Sequence, residues 1–189
     1  MSNGVVDRAK NTVISVVQGA GDIVNATRST VTDIVVSTLN EVGEITGAAL
    51  GVVTDTVRGA LQGTKEVGVE ATQGAQAVVS GAVEAVSQVG GDVVLGAKNA
   101  VRGAIQGAAE VGGDVAGVAV GAVEGAVGAA GKVGEDVTKV ARGAAEQALE
   151  TVGEVSAGAV GAVKKGLTSA ASLPGDVIRS VVEGEEKKK

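Results

Sequence analysis

Residues 81–115 read GAVEAVSQVGGDVVLGAKNAVRGAIQGAAEVGGDV, and two periods run through them at once. An amide or acid recurs every eleven residues, at Gln88, Asn99 and Glu110, and an aliphatic follows it at Val89 and Val111. The stretch also repeats at twenty-two, since Gln88-Val89-Gly90-Gly91-Asp92 returns as Glu110-Val111-Gly112-Gly113-Asp114. Eleven residues make three helical turns at about 3.67 residues per turn, so the shorter period holds one stripe on one side of a helix over a long distance. Strand alternation does not produce this spacing.

Outward from this stretch the eleven-residue phase holds from Asp22 to Lys164. The polar slot is Asp22, Asp33, Glu44, Asp55 and Glu66 on one side and Glu154 on the other. The aliphatic slot is Ile23, Ile34, Ile45, Val67, Val78, Val89, Val111 and Val133, and a slot four residues further holds Ala60, Ala82, Ala104 and Ala126. On a helical wheel these slots join those of Leu61, Val86 and Val101 in an arc of about 130 degrees, wide enough for a core-facing stripe. Glycines line the flank in ladders spaced by four, Gly43, Gly47 and Gly51, then Gly113, Gly117, Gly121 and Gly125. Small residues at this spacing let two helix backbones approach closely.

The expected fold is all-α, with long amphipathic helices of eleven-residue repeats assembled into an oligomeric bundle or tube. Residues 1–21 form a helical lead-in and 22–164 the repeat stalk. Residues 165–189 form a C-terminal segment broken by Pro174, with a short helix bearing Val177, Ile178, Val181 and Val182 and a charged tail. The part of it after Pro174 is expected to be a docking or capping element separable from the stalk. The Gly-Gly-Asp steps at 90–92 and 112–114 allow a second reading, helix stops followed by new caps that fold the chain into hairpins. The unbroken eleven-residue phase favours long helices with soft points there.

Composition narrows function by subtraction. The chain has no Phe, Tyr, Trp, His or Cys, and it has 31 glycines in 189 residues. Each glycine inside a helix costs roughly 1 kcal/mol relative to alanine, so a lone helix of this sequence is weak and needs a partner; a homo-oligomer is the expected answer. Without His or Cys the usual nucleophile–base pairs and soft metal sites are missing, and no Ser-x-x-Lys replaces them. Gly19-Ala20-Gly21 fails as a dinucleotide loop at Val24, and Gly131-Lys132 fails as a phosphate loop at Ala126 and Val133. The expectation is a protein that is not an enzyme, with no metal and no covalent cofactor. A net charge of −6 and the missing aromatics argue against nucleic acid as a partner. Residues 1–10 hold no apolar run of the signal-peptide kind. The longest charge-free run in the repeat, Ala71 to Val83, is 13 residues, short of a conventional membrane span. The expected location is cytoplasmic, at the membrane surface.

Two resemblances follow. Units such as Gly59 to Val69 and Gly125 to Asp136 look like the eleven-residue units of synucleins and of lipid-droplet and granule-coating proteins, which implies an amphipathic coat on a lipid surface. Those families carry lysines along the interface, whereas the polar slot here is acidic from Asp22 to Glu66. In size and texture, aromatic-free, rich in Gly, Ala and Val, with glycine ladders and a proline-broken C-terminal segment, the whole chain resembles the scaffold subunit of the high-affinity nickel-iron uptake hydrogenases of actinobacteria. That resemblance implies a tetrameric stalk that gathers hydrogenase large and small subunits at the membrane. It also implies an apolar lumen holding menaquinone or lipid. No motif marks quinone positions in this sequence.

Overall fold

The computed structural model describes residues 2–17, 22–42 and 49–186, and among them every regular element is helical. Nine α-helices occur among the described residues: α1 (Ser2–Val17), α2 (Ile23–Val42), α3 (Gly51–Glu66), α4 (Ala71–Gln88), α5 (Val93–Glu110), α6 (Val115–Val133), α7 (Val137–Val155), α8 (Val160–Ser169) and α9 (Gly175–Glu186). A single turn of 3-10 helix, Ala157–Ala159, precedes α8.

The helices do not run on through the glycine steps, which corrects the expectation of long continuous helices. Four of them end in the same way. Gly68, Gly90, Gly112 and Gly134 take φ values of 80, 71, 61 and 77°. That left-handed conformation suits glycine because it has no Cβ to clash. At the second of these ends the Gly90 amide donates to Ser87 O and the Gly91 amide to Val86 O, and at the third Gly112 and Gly113 repeat the pattern on Ala109 and Ala108. These paired bonds satisfy carbonyls that the helix end would otherwise leave open. An acidic residue then starts the next helix. Glu70 accepts from the Thr72 and Gln73 amides, Asp92 from Leu95, Asp114 from Gly117, and Asp136 from Thr138 and Lys139. Each such cap is worth about 1 kcal/mol.

The eleven-residue phase is compatible with these reversals. α4 and α5 are 18 residues each, and with a four-residue turn each makes one 22-residue unit, twice eleven. The chain therefore reverses direction without losing phase. The period of the sequence is the same for a long helix and for a row of hairpins.

Packing is most extensive between helices two places apart, α4 on α6, α1 on α3, α2 on α4, α3 on α5 and α5 on α7, with smaller contacts between consecutive helices. The result is two layers, odd-numbered helices in one and even-numbered in the other, stacked as a helical solenoid. Within a layer the helices are parallel: Gly59 and Gly63 of α3 lie against Val6 and Lys10 of α1, and Gly121 and Gly125 of α6 against Thr72 and Gln76 of α4. Between the layers runs a core made almost wholly of Val, Ala, Leu and Ile. α1 exposes Asp7, Arg8 and Asn11 on the side turned away from α3.

The C-terminal segment belongs to this core. α9 packs on α7 and α8, and its Ile178 is fully buried and Val181 nearly so. α8 stops at Ser169, and after a short turn the Pro174 carbonyl opens α9 by accepting from the Val177 and Ile178 amides. The expectation of a separable segment therefore gives way to an integrated one, because the apolar side of α9 covers α7.

Candidate functional site

The apolar stripe read from the sequence divides into three environments. Ala60, Val78, Ala82, Ala104 and Ala126 are fully buried between the two layers of a single chain. Val67, Val89 and Val111 cap the C-terminal ends of α3, α4 and α5 and are half-buried, as is Val133 at the end of α6. Ile34 is half-buried and Ile23 is exposed at 37%. Ile45 lies outside the described residues. The partner that the weak helices need is thus supplied in large part by the chain itself.

The glycines that make close contact form seams within each layer. A Cβ built on Gly125 would stand 2.5 Å from Gln76 O, one on Gly63 2.8 Å from Lys10 O, and one on Gly107 3.0 Å from Arg58 O. Gly59, Gly81, Gly103 and Gly121 sit closer still to the carbonyls of Val6, Arg28, Thr54 and Thr72. Gly117 faces Thr72 and its own cap Asp114, Gly113 lies in the third turn, and Gly51 begins α3 with open space around it. Gly43 and Gly47 lie outside the described residues. The seam glycines of α3 and α5 lie outside the two ladders, although the sequence holds the signal. Val57-Arg58-Gly59-Ala60-Leu61-Gln62-Gly63 and Val101-Arg102-Gly103-Ala104-Ile105-Gln106-Gly107 each carry a glycine pair at spacing four.

Hydroxyls lock the seams in register. Ser80 Oγ donates to Gly125 O at 3.0 Å, Thr54 Oγ1 to Asn99 O at 3.1 Å, and Thr32 Oγ1 reaches Gly81 O at 3.0 Å. Such contacts form only where glycine lets the backbones approach.

Polar side chains at the rim also span helices two apart. Glu84 of α4 lies between Arg28 of α2 at 3.8 Å and Lys132 of α6 at 3.7 Å. Arg58 of α3 pairs with Asp55 at 3.0 Å and with Glu110 of α5 at 3.5 Å. Partly exposed pairs of this kind are worth at most about 1 kcal/mol each, so they tune register more than they stabilise the fold. Two carboxyls are held below their ordinary values, both by capping. The Asn25 amide lowers Asp22, and the Thr72 and Gln73 amides lower Glu70. Among the described residues no group of three His, Cys, Asp or Glu side chains is placed to hold a metal ion.

Among the recesses that open on the surface of the described residues, two bear on the seams and turns. One, of about 280 Å³, crosses the even layer between Arg28, Ser80, Glu124 and Lys132. The other, of about 330 Å³, lies where the first and third turns meet and is walled by Leu61, Val69, Ala108 and Val118 with Lys65 and Asp114 at its edge. Among the described residues α6 is long and apolar enough to cross a membrane by length and composition, which the count of charge-free residues did not suggest; 56% of its apolar window is buried in the fold. No protein-family model and no curated protein sequence matches the chain.

Proposed function

We propose that the chain is a non-catalytic helical-repeat scaffold that presents a rigid, regularly spaced polar surface to partner proteins. The observation that carries this reading is the repeated glycine seam, which joins each of α3 to α6 at backbone contact to the helix two places before it. Close packing locked by hydroxyl–carbonyl bonds defines one shape, and a defined shape is what a scaffold needs. A helix designed to lie among acyl chains needs only an apolar stripe and gains nothing from glycine at those positions. The chain also lacks His and Cys, and its rim acids serve as helix caps and cross-helix ion pairs.

The hydrogenase large and small subunits remain the partners that the sequence resemblance names, with assembly as a homotetramer at the cytoplasmic membrane surface. In that reading, a lumen for menaquinone or lipid lies between copies, since the stripe within one chain is largely taken up by its own two layers. Affinity purification from the native host followed by mass spectrometry and light scattering tests it. Stoichiometric recovery of hydrogenase subunits with a tetrameric mass supports the full proposal, and a monomer with no stoichiometric partner refutes it. The alternative is the lipid-surface coat. It draws on the apolar character of α6 and on the eleven-residue stripe, which would become continuous if the turns straightened. A chain that is disordered in buffer and turns helical only with vesicles would establish the coat in place of the scaffold.

A further inference from the structure

The recess lies between the first and third turns, which carry different residues at one place of the repeat. Val69 stands in the first turn, and 44 residues later the same place holds Gly113. Gly112 needs glycine because its φ is positive, but Gly113 is not among the positive-φ glycines. A Cβ on Gly113 would meet Ala108 O at 3.2 Å, a tight but tolerable contact. The backbone therefore does not demand glycine at 113, and without a side chain there Gly113 leaves open one wall of a recess of about 330 Å³ that is otherwise walled mainly by aliphatic groups. That volume falls at the lower end of the range of ligand pockets.

The polar groups at this recess are already disposed of, with one exception. Asp114 is tied to the Gly117 amide at 3.0 Å as the cap of α6, and the Thr64 hydroxyl donates to Leu61 O at 2.8 Å. Lys65 crosses from α3 to donate to Val111 O. An ammonium carries three donors, so this bond leaves two free at the mouth. Asp114 also lines the recess, but its charge lies against the N-terminus of α6, whereas the Lys65 ammonium meets only a neutral carbonyl, so an aliphatic chamber with this cation at its edge matches one kind of ligand. We propose that the recess binds a single-chain amphiphile with an anionic head, of the fatty-acid class, its tail against Leu61, Val69, Ala108 and Val118 and its carboxylate on Lys65. A methylene is about the size of a water, whose share of liquid volume is about 30 Å³, so the chamber takes roughly ten carbons.

The test is isothermal titration of the full-length chain with decanoate and, as the head-group control, decyltrimethylammonium. Saturable one-to-one binding of decanoate with no binding of the cationic amphiphile is expected. Gly113→Val should weaken decanoate by roughly fiftyfold, because its side chain takes the place of three ligand carbons and each buried methylene is worth about fourfold. Ala71→Leu, which fills the same chamber from α4, should do likewise, with circular dichroism showing the helical fold retained in both. Lys65→Gln should weaken decanoate about twofold to fivefold, as an exposed charge pair does, and leave the fold unchanged. The proposal is overturned by an absence of saturable decanoate binding, by equal binding of the two head groups, or by wild-type affinity in the folded chamber-filling variants.

Discussion

Replacing Gly125 with alanine asks whether the seams hold the fold together. Intrinsic propensity alone would stabilise α6 by about 1 kcal/mol. Against this, the new methyl would start 2.5 Å from Gln76 O, well inside contact distance, so α6 and α4 must move apart by about 1 Å. That displacement stretches the Ser80 to Gly125 bond, now 3.0 Å, beyond useful range, a loss of about 1 kcal/mol. Overpacking of a dense seam costs a further 1–3 kcal/mol or so. The net expectation is destabilisation by about 1–3 kcal/mol, or a fall of roughly 2–12 °C in melting temperature for a chain of this size. Gly128→Ala on the same helix is the control, since Gly128 is exposed with open space around it. It should raise stability by up to about 1 kcal/mol. Urea and thermal unfolding followed by circular dichroism read both. Should Gly125→Ala gain as much stability as Gly128→Ala, close backbone approach between α4 and α6 is refuted.

Other perturbations follow from the same geometry. Gly112→Ala forces a side chain into a φ of 61° and is expected to cost about 1–2 kcal/mol; unchanged unfolding would contradict the turn geometry. Deleting residues 174–189 removes the buried Ile178 and Val181, each worth about 1.5–3 kcal/mol on burial, so the truncated chain should unfold at clearly lower urea, and an unshifted midpoint would make α9 separable after all. Glu70 accepts two amides that hold its carboxyl below the ordinary value of 4.5. A depressed folded-state value means its contribution is complete above 4.5 and is lost as pH falls through the lower folded value. The stability difference between wild type and Glu70→Gln should therefore be largest at neutral pH and vanish in acid; a difference that grows on acidification would invert the assignment.

The sequence alone determined that the chain is helical, because aliphatics recurring on an eleven-residue period line one side of a helix and cannot line one side of a strand. It also carried the turn chemistry in plain view, glycine two residues after the last helical position and an acid two residues beyond that, at Gly90 and Asp92 and again at Gly112 and Asp114. It could not weigh that chemistry against the phase, since a 22-residue hairpin unit and two eleven-residue units of one long helix share a period. Only the tertiary structure decided between them, and with that choice came the partner of each seam. Whether Gly125 meets a neighbouring chain, a lipid or Gln76 depends on where the turns send the next helix but one, which is a long-range contact with no local signature. The same holds for the recess: Gly113 looks like one more turn glycine until the fold sets it against Leu61 and Val69, some 50 residues back along the chain. Local periodicity specifies which side of a helix seeks cover, and the path of the whole chain specifies what covers it.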